Sequence, residues 1–176
     1  MYVLATGLLL ASGVFTRANA QTEATWVLPQ IEIPLTQGSD TLAVLRPRFA
    51  SKAADLLVEG NVYQLRVRVG GYRCWVYRAD SNEEVARARG LGQVEGLARF
   101  ADGKEHRIAR TGTRRSYTYR WQNGSLKIEN GLLTSASAQD FSSLLTQAML
   151  VFSYLQKQYE KEKSVNTQFI PMVVCR

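Results

Sequence analysis

The chain has little of what metal and covalent chemistry usually rests on: its 176 residues include one histidine and two cysteines. A lone imidazole, His106, excludes a zinc site built from several histidines, and HExxH is absent. Cys74 and Cys175 form no CxxC pair, which excludes thiolate zinc frameworks, and two cysteines are too few for a disulfide-dense scaffold. Proline is scarce, with four residues, and no apolar run reaches the roughly 20 residues needed to span a bilayer core. What is present is 45% hydrophobic and 10% aromatic residues, enough to bury a core and to exclude disordered and collagenous classes.

Val3 to Phe15 is a mostly apolar run that reads as the h-region of a secretory signal, and Ala18-Asn19-Ala20 offers the small residues of a cleavage site. Residues 1–20 are therefore expected to be a cleavable signal peptide and residues 21–176 a single domain. The expected destination is the periplasm, a thylakoid lumen or the extracellular space. Met1-Tyr2 carries no basic residue and Arg17 follows the run, so an uncleaved anchor touching the membrane is the alternative. Export favours a Cys74–Cys175 disulfide, closing a loop of about 100 residues that the chain-entropy argument values at about 4 to 5 kcal/mol. Two buried, unpaired thiols are the competing reading.

Along the mature chain, Pro29, Pro34 and Pro47 confine Gln21 to Phe49 to edge strands or a lead-in, broken at Gly38-Ser39-Asp40. Ser51 to Glu59, with Ser51 as N-cap and Gly60 as C′, reads as a short helix. From Asn61 the period becomes two, with Leu65, Val67 and Val69 alternating with Arg66 and Arg68. Turn signals follow at Asp80-Ser81-Asn82, Asp102-Gly103 and Asn123-Gly124, separated by strand-like runs and by Gly90, Gly112 and Gly131. This predicts a meander of about six antiparallel strands over residues 72–130. One unit, Gly96-Leu97-Ala98-Arg99-Phe100-Ala101-Asp102-Gly103, resembles a MORN repeat, a short hairpin module; the likeness covers that unit alone and carries no function over.

The last third turns helical. Phe141, Leu144, Leu145, Ala148, Val151, Phe152, Leu155 and Tyr159 recur at three and four and form an apolar stripe on a helix expected over residues 138–163, started by Ser137 and Asp140. Gln168 to Arg176 reads as a short terminal edge strand. The expected fold is α+β: a curved antiparallel β-meander of six to eight strands packed on one long C-terminal amphipathic helix. Ala86, Ala88, Ala98 and Ala109 are expected on its concave face, where small residues let a sheet close on a helix.

Charge is uneven. Residues 66–120 hold 12 Arg and one Lys against six acids, a net of +7 equal to that of the whole chain. Arginine grips carboxylates and phosphates through a planar fork. The candidate binding residues are Arg66, Arg68, Arg73, Arg87, Arg89, Arg99, Arg107, Arg114, Arg115 and Arg120, interleaved with Tyr72, Trp75, Tyr77, Tyr117, Tyr119 and Trp121. An acidic protein surface or an anionic envelope component fits such a face; export takes the protein away from most nucleic acid. A merely solvated face is the other reading.

No catalytic residue, cofactor or metal is assigned. His106, between Glu105 and Arg107, is expected at the surface, and Gly90-Leu91-Gly92-Gln93-Val94-Glu95-Gly96 is one residue too long for the dinucleotide fingerprint. Three functions are left: a non-catalytic exported binding protein or accessory subunit that meets an acidic partner; a carrier of a lipid or other apolar ligand between sheet and helix; and a hydrolase using carboxylates among Glu83, Glu84, Glu95 and Glu129.

Overall fold

The computed structural model describes residues 31–37, 40–68 and 72–168; the expected signal peptide, the terminal edge strand and Cys175 lie outside them. Eleven antiparallel strands follow one another in space in chain order: β1 Ile33–Gln37, β2 Asp40–Arg48, β3 Ala53–Val58, β4 Asn61–Val67, β5 Arg73–Arg78, β6 Glu84–Arg89, β7 Glu95–Phe100, β8 Glu105–Gly112, β9 Ser116–Trp121, β10 Gly124–Glu129 and β11 Leu132–Ala138. The helix α1 spans Phe141–Gln168. The sheet is nearly barrel-shaped: its edge strands β1 and β11 approach each other without a ladder between them.

Six of these strands, β5 to β10, occupy the stretch where the turn signals predict six, but the sheet as a whole exceeds the six to eight expected. The additional strands come from both flanks. Ser51 to Glu59 is not a helix: Ser51 closes a single 3-10 turn, and β3 follows with Ala54, Leu56 and Val58 buried at alternate positions. Pairing on both sides overrides the local helix signal. Gly60 is not a helix cap but the second residue of a two-residue hairpin loop in which Glu59 and Gly60 both have positive φ, 47° and 80°. Asn130 and Gly131 repeat that geometry between β10 and β11 (52° and 82°), whereas the Asn123-Gly124 signal is displaced by one residue, with Gln122 and Asn123 forming the loop. Prolines sit where a ladder is incomplete: Pro34 on the edge strand β1, and Pro47 on β2 beyond the last residue that β1 reaches.

The helix is the core. Every residue from Ser142 to Ser153 is buried, so the sheet surrounds this half and the expected single apolar stripe is corrected to an all-round contact. Leu144, Leu145, Ala148 and Phe152 are buried as expected, Leu155 and Tyr159 are half-buried, and Phe141 is exposed beside Tyr63, with ring centroids 5.4 Å apart. Alanines make the enclosure possible: Ala43, Ala54, Ala86, Ala88, Ala98 and Ala138 are buried in the strands. Ala109 is not among them. It faces outward, because the strand phase that turns His106 and Ile108 in turns residue 109 out.

The polar side chains at the start of α1 are paired. Asp140, not Ser137, caps the helix, accepting the Ser143 N–H at 2.7 Å and the Ser142 hydroxyl at 2.8 Å. Trp121 donates its indole N–H to the Ser143 hydroxyl (2.7 Å), which in turn donates to the Asn123 carbonyl. Gly124 is required here: a Cβ would meet the Trp121 ring at 2.4 Å. The expected disulfide is absent among the described residues. Cys74 is a free thiol at an inward position of β5, with its ionisation suppressed by burial, so any bridging partner would have to reach the interior.

Candidate functional site

Because side chains alternate along a strand, the residues between the buried positions of β4 to β8 form one outer face. Register lays them out in rows. Arg66 stands opposite Trp75, Trp75 opposite Arg87, Arg87 opposite Arg99 and Arg99 opposite Glu105. The adjacent row runs Arg73, Arg89, Leu97 and Arg107. Six of the ten candidate arginines are thus contiguous across five strands. Arg68 follows β4 directly and is exposed at the rim, and Arg120 lies one strand farther, opposite Ala109. Arg114 and Arg115 do not belong to the face, since both fall in the turn between β8 and β9.

Two of these contacts set like charges directly across the ladder: Arg73 against Arg89 and Arg87 against Arg99. Such pairs are destabilising by some tenths of a kcal/mol. The second pair is partly compensated, by Glu84 at 3.7 Å from Arg87 and Glu105 at 2.6 Å from Arg99. Among the described residues Arg73, Arg89 and Arg107 form no ion pair. These three border a groove of about 720 Å³ together with Tyr72, Gln93 and Glu95. Its floor needs Gly90, whose φ is +71° and where a Cβ would lie 2.6 Å from the Glu95 carbonyl oxygen. Arg66 lies over the Tyr77 ring, 4.9 Å from its centroid. Trp75 and Tyr77 lie on the outer side, while Tyr119 and Trp121 are buried, so the expected aromatic interleaving divides between surface and core.

His106 is a correction. It is buried, with Nδ1 3.0 Å from the Thr146 hydroxyl, Nε2 3.5 Å from the Ser142 hydroxyl, and its ring edge-on to Phe100. Burial lowers its pKa, opposed by the charge of Asp140. The Asp140, Ser142 and His106 cluster is not arranged as a nucleophilic triad. There the carboxylate would orient the imidazole; here it holds Ser142, and the ring's other nitrogen is occupied by Thr146. Of the four candidate carboxylates, Glu84 and Glu129 are in exposed ion pairs with Arg87 and Lys127.

One cation escaped the sequence reading. Arg110 shares the inward phase of His106 and Ile108 and is half-buried at the end of β8, where it points toward α1 rather than to the outer face. Counting by twos from the buried positions was the signal that would have found it.

Fold and site together define a class: an antiparallel up-and-down sheet wrapped around its own C-terminal helix, with a contiguous arginine surface outside. Comparison with protein-family models, with curated proteins and with solved structures finds no match to this chain.

Proposed function

We propose that the protein is exported and acts without catalysis, as a binding protein or accessory subunit whose arginine face docks on an acidic protein surface. The observation that carries this reading is the pair of cross-strand arginine contacts, Arg73 with Arg89 and Arg87 with Arg99. Folding alone favours opposite charges or neutral residues at such positions. A carboxylate-bearing partner converts the repulsion into paired hydrogen bonds, two per guanidinium in the forked geometry. The trio Arg73, Arg89 and Arg107 around the groove, without an ion pair among the described residues, supplies the centre, and Trp75 and Tyr77 add flat contact area beside it. Association should be salt-sensitive, because exposed charges are screened beyond about 10 Å at 0.1 M salt.

The test is capture of the partner from the exported fraction at low and high salt. The wild-type protein should retain it at low salt and release it at high salt, and Arg87→Glu combined with Arg89→Glu should abolish capture with the fold intact by circular dichroism. Undiminished capture by that variant would sink the reading.

A further inference from the structure

A second cationic site lies apart from the outer face. Where the fully enclosed half of α1 ends, the helix and strands β8 and β9 border a cavity of about 480 Å³. Arg110 on β8, Arg114 in the following turn, and Lys157 and Lys161 on the helix all line it, and none of the lining residues is acidic. Among the described residues none of these four forms an ion pair. Ser153, Lys157 and Lys161 follow at intervals of four, which stacks them on one side of the helix.

The walls are held in place. Arg110 donates to the Gly92 carbonyl at 3.4 Å, and its guanidinium lies 3.9 Å from the centroid of the Tyr117 ring. Tyr154 donates to the Gly131 carbonyl at 2.6 Å. Ser153 is only 5% exposed, and its hydroxyl oxygen is buried without a hydrogen-bond partner among the described residues. A buried hydroxyl is nearly always paired. That hydroxyl lies behind the cavity wall, whose charged lining is wholly positive and calls for an anionic group. The apolar and aromatic wall, Leu150 with Tyr119, offers a carbon skeleton a surface.

We infer that this cavity binds a small organic anion, with an aromatic or aliphatic body against Leu150 and Tyr119 and a phosphate or carboxylate group facing Arg110, Lys157 and Lys161. The place is between sheet and helix, where the alternative carrier reading of the sequence puts an apolar ligand, but the charge of the lining selects an anion. The site shares no arginine with the outer face, and the proposal does not rest on the docking proposed there; the two meet at Tyr72, a wall of the outer groove, whose ring centroid lies 5.7 Å from the Lys157 ammonium.

Isothermal titration of the purified protein with phenyl phosphate, benzoate and neutral phenol tests it. Either anion should bind with the two rings' common body contributing, and phenol should bind at least tenfold more weakly. Lys157→Gln with Lys161→Gln, both exposed positions, should weaken anion binding at least tenfold. Arg110→Gln removes a structural hydrogen bond as well, so the lysine pair is the deciding variant. Arg73→Gln with Arg89→Gln should leave the affinity unchanged. Absence of binding by both anions at millimolar concentration overturns the proposal, as does unchanged affinity in the lysine variant or loss confined to the Arg73 and Arg89 variant.

Discussion

Strands β6 and β7 present one face to the helix and the other to solvent, and the two faces obey opposite rules. Inside, Ala86, Ala88 and Ala98 are small and buried, and each can be understood as room for α1. Outside, Arg87 and Arg89 on β6 and Arg99 on β7, each next in the chain to one of these alanines, set like charges opposite one another. The inner face lowers the energy of the fold, whereas the outer face raises it slightly. A surface that works against folding asks for a reason outside folding, and that supports the proposed docking reading over a merely solvated face.

The inner face is broken most directly at Phe152, which is wholly buried on the enclosed half of the helix. Phe152→Ala should cost about 3 to 5 kcal/mol, the usual range for truncating a core aromatic. A denaturant midpoint would read that loss at an unchanged slope. A loss below about 1 kcal/mol would mean that the helix is not the centre of the core, and the contrast between the faces would lose its first term.

How much of this was legible depended on whether the signal was local. β5 to β10 could be read because Asp80-Ser81-Asn82, Asp102-Gly103 and Asn123-Gly124 punctuate alternating runs, and turns are local chemistry. Ala86, Ala88 and Ala98 are on the helix side, as expected of small residues that let a sheet close on a helix, and Ala109 is not, because strand phase outweighs residue size. β3 is misread because Ser51 and Gly60 mimic helix caps, whereas pairing with both of its chain neighbours, β2 and β4, outweighs that signal. The enclosure of α1 was hidden because Ser142, Ser143 and Thr146 look like a solvent face. Their partners, Trp121 and His106 on strands β9 and β8 and Asn123 in the loop after β9, make them buried polar groups instead. The arginine rows were visible as composition, but which arginines stand opposite which is register, and that required the structure.

A smaller effect tests whether the interior is as neutral as the burial implies. His106 has its pKa lowered, first by burial, with Asp140 and Asp102 opposing and Lys104 reinforcing the shift. The folded protein therefore holds the neutral imidazole, while the unfolded chain takes up a proton near the ordinary value of 6.5. Below that pH the unfolded state binds the extra proton, so stability should fall as pH drops from 7 and level off once the folded pKa is passed. Asp140 acts in a different window: burial pushes it up, but hydrogen bonds from Asn123, Ser143 and Ser142 outweigh this and hold it below 3.8, so its contribution is lost only in stronger acid. Urea unfolding at pH 7, 6 and 5 should show the decline in the wild type and a flatter profile in His106→Asn. Equal slopes would place the histidine in contact with water and contradict its role as an interior residue.

The smallest effect is the most telling, because its sign is what matters. Arg89→Thr removes one member of the repulsive pair with Arg73 and breaks no ion pair among the described residues. Threonine also suits a strand. The expected result is a protein as stable as the wild type or more stable by up to about 0.5 kcal/mol. The gain should be larger at low salt and vanish near 1 M, where the screening length is about 3 Å. Arg99→Thr is the matched control: it relieves Arg87 but loses the 2.6 Å contact with Glu105, a half-exposed pair worth between zero and about 1 kcal/mol, so its change should be neutral or slightly unfavourable. If Arg89→Thr instead destabilises by more than about 1 kcal/mol at every salt concentration, the arginine is structural, the two faces obey the same rule, and the case for a docking surface falls with the distinction between them.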